Sequence, residues 1–167
     1  PVWVAYGAFI LLETVCMYLY WYTWDPLSGS RAGKWAHIGI GVALNVLGTV
    51  VMLLMNAVTG FMNTPPKAIE SASLWAMIDN AAWWPLNLHR FLGNITFGGF
   101  VVALFAAFMF LTSRKDEDRA FYDWMGYIGN LIGVGALITM PLAGYILSKE
   151  LFVYDAQLAT FMMADKL

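Results

Sequence analysis

Residues 86–112 read LNLHRFLGNITFGGFVVALFAAFMFLT, and Arg90 is the only charged side chain in this stretch. The segment is long enough to cross a hydrocarbon core of about 30 Å as a helix. Segments 2–24, 35–62 and 121–147 have the same character, and the whole chain is 60% hydrophobic and 12% charged. The pattern predicts an all-α integral membrane protein with four transmembrane helices in an up-down bundle. We expect these spans to form a single membrane domain over residues 1–167.

Most of the basic residues lie in two short connections, 25–34 and 113–119. An up-down arrangement places these two connections on the same side of the membrane. Because Lys and Arg near span ends favour the cytoplasm, this side is predicted to face inward. The longer connection 63–85 then lies on the opposite side, where Trp75, Trp83 and Trp84 suit an interfacial belt.

Several classes of function have no support in the sequence. The net charge of −2 provides no basic field for a nucleic acid. The single cysteine, Cys16, cannot form an internal disulfide and is expected to be a small buried hydrophobe. No metal-site cysteine pair, phosphate-binding glycine loop or nucleophile elbow is present, so neither a hydrolase nor a nucleotide-binding protein is indicated.

Polar residues inside the spans are the candidate functional residues, because each costs free energy unless it is paired or coordinated. Glu13 lies in the middle of the first span and is either a metal or proton site or a protonated, hydrogen-bonded carboxyl. His89 opens the third span, and imidazole is a common ligand of haem iron. Gly93, one turn further, has no side chain to collide with a porphyrin, and Arg90 can pair with a haem propionate. The alternative for His89 is an ordinary polar residue whose hydrogen bonds are satisfied.

His37 and His89 begin successive spans and therefore lie on opposite sides of the predicted bilayer. The second span separates them by some 30 Å, so they cannot be the two axial ligands of one haem. If His89 binds iron, the opposite ligand is a different residue, such as a methionine, or comes from another chain. The pair Gly129 and Gly133 has the small-xxx-small spacing that lets helices pack closely.

The first two spans resemble the third and fourth transmembrane helices of subunit I of cytochrome bd-type quinol oxidases. In that family a glutamate precedes an aromatic run that ends in a Gly-Trp-Asp-like turn. Glu13, the run YWYTWD at 20–25 and the following His37 are similar to this pattern. The family's fourth helix closes on Asn-Gly-Trp-Met-Gln-x-Pro, which Asn56 and the run GFMNTP at 60–65 resemble.

The second half of the chain resembles the fifth and sixth helices of the same family. The fifth helix carries a histidine that ligates low-spin haem b, and His89, with Gly93 and the run GGF at 98–100, is similar to it. Gln157 and residues 163–167 look like the stretch that leads into the quinol-binding loop. The resemblance covers nearly the whole chain but only the middle of the family's subunit.

The resemblance implies roles for the matching residues. His89 would ligate low-spin haem b, Glu13 would be a ligand or proton carrier at the oxygen-reducing haem, and His37 would lie close to a cofactor. Lys166 would approach the quinol substrate. A second, high-spin haem b or d would be shared with other membrane subunits that supply the missing ligands. The protein would then belong to a bacterial or archaeal inner (cytoplasmic) membrane and would not be active alone.

Three functions remain open at this point. The first is a haem-binding subunit of a bd-like quinol oxidase, which passes electrons from quinol through low-spin haem b toward an oxygen-reducing haem. The second is a cytochrome b-type electron-transfer subunit of a quinone-linked respiratory complex that does not reduce oxygen. The third is a haem-free membrane scaffold. Loss of a low-spin haem spectrum in His89→Ala would exclude the third.

Overall fold

The computed structural model describes residues 2–65, 74–154, 156–157 and 160, and this part of the chain forms helices and no strand. Four of the helices are long and apolar enough to cross a membrane. The helices are α1 (Val2–Tyr22), α2 (Trp24–Ser28), α3 (Arg31–Asn63), α4 (Leu74–Ile78), α5 (Trp83–Thr112) and α6 (Asp116–Tyr154). The predicted all-α membrane fold with four spans is confirmed.

The chain divides into two compact units, residues 1–83 and 84–167. The first unit holds α1 to α4, and the second holds α6 and all of α5 except its first residue. The single membrane domain expected from the sequence stays a prediction.

Three of the spans, α3, α5 and α6, begin earlier than the hydrophobic pattern predicts, and in α3 and α6 the additional first turn is polar. Helix α3 is preceded by Ser30, whose Oγ accepts a hydrogen bond of 2.9 Å from the backbone N–H of Gly33 and so caps the helix. Helix α6 carries Asp116, Glu117 and Asp118 in its first turn, where negative charge is favourable beside the helix dipole. Polar capping residues therefore extend these helices beyond the apolar segments.

Helices α1 and α3 form an antiparallel pair whose close approach depends on two glycines of α3. A Cβ on Gly41 would lie 3.0 Å from Cε2 of Tyr20, and a Cβ on Gly48 would lie 2.8 Å from Oε1 of Glu13. The two glycines are one heptad apart, as are the two facing side chains, so they lie along one seam. The seam places Glu13 against the backbone of α3.

A small apolar core lies at the other end of this pair. Val2, Leu54 and Val58 are buried together there. Near this core the indole N–H of Trp83 donates a 3.1 Å hydrogen bond to the carbonyl of Leu53. This hydrogen bond connects the first residue of α5 to α3. Trp83 therefore has a structural role in addition to the position in the interfacial belt predicted for it.

Thr64 links the end of α3 to the residues just before α5 by hydrogen bonds. Its side chain is 1% exposed. Its Oγ1 lies within hydrogen-bond distance of the carbonyl of Gly60 (3.0 Å) and of Oδ1 of Asn80 (3.3 Å), and accepts from the N–H of Ala82 (3.2 Å). Buried polar groups need such partners, so this threonine satisfies both ends of the connection at once.

In the second unit, α5 and α6 pack through small residues. A Cβ on Gly99 would lie 2.6 Å from the backbone N of Gly133 and 2.7 Å from the carbonyl O of Gly129. Further along, a Cβ on Gly126 would meet Cβ of Ala106 at 3.4 Å. The packing role predicted for Gly129 and Gly133 is confirmed, and the two backbones touch because no side chain separates them.

Large apolar side chains cover the outside of these helices. Phe97, Leu104 and Leu111 of α5 are 72–77% exposed, and Ile138 of α6 is 72% exposed. Exposed apolar surface of this extent is unfavourable in water and is the normal surface of a helix in lipid. The exposure pattern therefore agrees with the membrane class.

Candidate functional site

His89 lies in the second turn of α5, and its half-buried imidazole faces α6. The ring atoms Cε1 and Nδ1 lie 3.5 and 3.6 Å from the point where a Cβ on Gly144 would stand. Nδ1 is buried, and no residue in the described part of the chain hydrogen-bonds to it. A buried polar atom left without a partner costs about 1–3 kcal/mol. His89 is therefore not a core histidine whose hydrogen bonds are satisfied by the residues that the structure describes.

Gly144 is a part of this site that sequence reasoning missed. A Cβ at this position would make ordinary van der Waals contact with the His89 ring, so Gly144 lies directly beside the imidazole. Nothing in the sequence singles out Gly144, because its neighbour on α5 depends on the register of two helices packed side by side. The register itself follows from the Gly99–Gly133 contact further along.

Gly93, one turn beyond His89, also faces α6. A Cβ on Gly93 would lie 3.8 Å from Cε of Met140. The space beside Gly93 is therefore bordered by the methyl group of a thioether side chain. Met140 and Gly144 are four residues apart and share one face of α6, so a methionine lies one turn away from the histidine.

His37 lies on α3 with a fixed ring orientation. Its Nδ1 is 3.2 Å from Oγ1 of Thr23, and that hydroxyl donates its hydrogen to the carbonyl of Leu19 at 2.6 Å. The hydroxyl can then only accept from the ring, so the network assigns the hydrogen of His37 to Nδ1. Nε2 is left with a free lone pair, and it is buried with no hydrogen-bond partner among residues that the structure describes.

Two aromatic rings enclose His37. Tyr20 is stacked on it with ring centroids 4.3 Å apart and planes 25° apart, and Trp24 meets it edge to face at 5.1 Å. The sequence predicts that His37 starts the second span, whereas in the structure it lies two turns inside α3. The additional turns of α3 come from the capped residues before it, and they bring His37 against the end of α1.

Glu13 is half-buried on the seam between α1 and α3. Its Oε1 lies over Gly48, and a Cβ at that position would come within 2.8 Å of the oxygen, so the carboxyl group would have to shift. Gly48 and His37 are separated by 11 residues of α3, which is about 16 Å along the helix. The first unit therefore contains two separate candidate positions, one at Glu13 and one at His37.

The remaining predicted site residues do not gather around these positions in the described residues. Arg90 is exposed and takes part in an interaction within the chain. Lys166 lies outside the described residues. No group of three or more His, Cys, Asp or Glu side chains that could hold a metal ion occurs within residues 2–65, 74–154, 156–157 and 160.

The comparison with protein families gives one match, which covers nearly the whole chain. The model described as cytochrome bd terminal oxidase subunit I matches residues 4–164. Neither the curated proteins nor the solved structures gave a match. The family is the one indicated by the motifs around Glu13, 60–65 and His89.

Proposed function

The chain belongs to the cytochrome bd terminal oxidase subunit I family, and on this premise we propose that it is a haem-binding membrane subunit of a bd-like quinol oxidase. In this proposal electrons pass from quinol by way of a low-spin haem b at His89 toward an oxygen-reducing haem near Glu13. The other membrane subunits supply the ligands that this chain lacks. The lipid bilayer and quinone are its other partners.

The observation that carries the proposal is the state of the His89 ring. The Nδ1 and Cε1 atoms of the ring lie against Gly144. We therefore assign the iron to the other ring nitrogen, Nε2. The buried Nδ1 has no hydrogen-bond partner in the part of the chain that is described, so hydrogen bonds among these residues do not account for the position of the ring. A haem bound there supplies one-electron transfer, since its iron changes oxidation state without a protein side chain reacting.

The chain's own residues would hold and orient this group. Gly144 lies beside the imidazole, and Gly93, one turn from His89, presents no side chain to a flat ring. Met140 lies beside Gly93, and a methionine or a residue of a partner chain would provide the other ligand of the iron. Arg90, at the membrane edge, is proposed as the cation that faces a propionate.

Glu13 would act at the second haem as a ligand or as a proton carrier. A carboxyl inside a span is costly as an anion, so it either meets a cation or carries its proton. The carboxyl oxygen Oε1 of Glu13 lies directly against Gly48. His37 is proposed as a contact to a cofactor other than the one at His89, and Lys166 as a contact to quinol.

The test compares two histidines in the purified complex. We expect His89→Ala to lose the low-spin haem signal in the reduced-minus-oxidised spectrum, and His37→Ala to keep it, because each ring serves a different position. Glu13→Gln should keep that signal and reduce oxygen uptake with quinol by about a hundredfold or more, the usual range for loss of a proton-transferring group.

Two results would contradict the proposal. An unchanged low-spin spectrum in His89→Ala would show that this imidazole does not bind iron. Normal oxygen uptake in both Glu13→Gln and Glu13→Ala would remove the proposed role of Glu13, and a wild-type complex that takes up no oxygen with quinol would favour an electron-transfer cytochrome b instead.

A further inference from the structure

Two cavities meet at Trp24, just beyond the end of α1. The first has a volume of about 420 Å³, and its lining includes Tyr20, Trp21, Trp24 and Asp25. The second has a volume of about 320 Å³, and its lining includes Trp24, Leu27, Ser28, Lys34, His37 and Ile38. Each cavity is therefore mainly aromatic or apolar. The first carries a carboxylate and the second an ammonium group.

The rings of the first cavity have the arrangement that attracts an organic cation. Trp24 is held edge to face against Tyr20, with ring centroids 6.3 Å apart, and against His37. These contacts hold the ring in a set orientation. Trp24 nevertheless remains 60% exposed. Aromatic faces attract ammonium groups, and the carboxylate of Asp25 adds an ionic acceptor for a group that carries N–H.

The second cavity suits an anion bound to an apolar chain. Lys34 contributes a positive charge, and Leu27 and Ile38 contribute apolar lining. The indole N–H of Trp24 has no hydrogen-bond partner in the described chain, so it can donate to an oxygen. Ser28 is already used locally, because its hydroxyl donates to the carbonyl of Asp25 at 2.8 Å.

The position of these cavities identifies the environment of the ligand. Helix α1 ends at Tyr22 and α3 begins at Arg31, so Trp24, Asp25 and Lys34 lie where two membrane-crossing helices meet the polar surface. Tryptophan is enriched at this depth, which is the level of lipid headgroups. Neither the Asp25 carboxylate nor the Lys34 ammonium has an ion-pair partner among the described residues.

We propose that Asp25, Trp24 and Lys34 form a binding site for one zwitterionic phospholipid with a primary ammonium headgroup, such as phosphatidylethanolamine. The ammonium lies among the rings of the first cavity against Asp25. The phosphate lies on the other side of Trp24 against Lys34. An anionic headgroup without an ammonium is disfavoured because it places its charge near Asp25 with nothing to offset that repulsion.

The experiment measures lipid binding to the purified, delipidated complex by native mass spectrometry. Phosphatidylethanolamine, phosphatidylcholine and phosphatidylglycerol with identical acyl chains are added one at a time. We expect the wild type to bind the ethanolamine lipid about tenfold more tightly than the other two, which corresponds to about 1.4 kcal/mol. Equal affinity for the three lipids would overturn the proposal. Equal affinity for ethanolamine and choline lipids would also overturn it, because the primary ammonium would then not be recognised.

Variants assign the two charges separately. Asp25→Asn should abolish the preference for ethanolamine over glycerol lipid, while Lys34→Gln should weaken both lipids by a similar factor. Asp118→Asn is the matched control, since it removes an exposed carboxylate from the first turn of α6 and should leave the preference unchanged. The ratio of two affinities within one variant does not depend on the amount of folded protein. A retained preference in Asp25→Asn would refute the assignment.

Discussion

Replacement of Gly99 by alanine tests the closest helix contact in the chain. In Gly99→Ala the new Cβ would lie 2.6 Å from the backbone N and 2.7 Å from Cα of Gly133. Ordinary van der Waals contact begins near 3.4 Å, so the two helices must separate by about 0.8 Å at this point. Both obstructing atoms belong to the backbone, which cannot rotate away as a side chain does.

The adjacent glycine provides the control. A Cβ on Gly98 would meet no heavy atom within 4 Å. Gly98→Ala and Gly99→Ala gain the same helix propensity, up to about 1 kcal/mol, so this gain cancels in their difference. What remains is the overpacking cost, for which about 1–3 kcal/mol is typical of an extra methyl in a packed interior.

The free energy of unfolding is measured in mixed detergent micelles, with helicity followed by circular dichroism. We expect Gly99→Ala to be less stable than Gly98→Ala by about 1–3 kcal/mol, which is the overpacking cost alone. Equal stability of the two variants would refute the conclusion that α5 and α6 touch through their backbones at Gly99.

Two further substitutions test the first unit. Gly48→Ala places a Cβ within 2.8 Å of Oε1 of Glu13, so the carboxyl group must move. We expect oxygen uptake by the complex to fall between several-fold and about a hundredfold. The control is Gly39→Ala, which meets no heavy atom within 4 Å and should leave oxygen uptake unchanged. Thr64→Val removes the acceptor of the Ala82 N–H and should lower the free energy of unfolding by about 1–3 kcal/mol. Thr59→Val loses only a bond within its own helix; equal losses in these two threonine variants would contradict the role of Thr64.

The sequence was sufficient to predict the four membrane helices, because lipid imposes length and hydropathy on each helix separately. The stretch 86–112 meets that condition without reference to any other part of the chain. The ends of α3 and α6 were less well predicted, since Ser30 and the acidic turn 116–118 extend the helices through polar residues. Capping depends on local hydrogen bonds and charge, which hydropathy does not measure.

The same reasoning identified His89 and Glu13 as costly polar groups inside spans, but it did not identify their neighbours. The fold pairs His89 with Gly144 and Glu13 with Gly48, and it encloses His37 between Tyr20 and Trp24. These pairings depend on the register and distance of packed helices, which are set by contacts such as Gly99 with Gly133. The sequence by itself therefore determined that the chain crosses the membrane and which of its residues are chemically unusual. Only the tertiary structure decided what each of them faces, because helix–helix register is the sum of many small packing contacts between residues far apart in the chain.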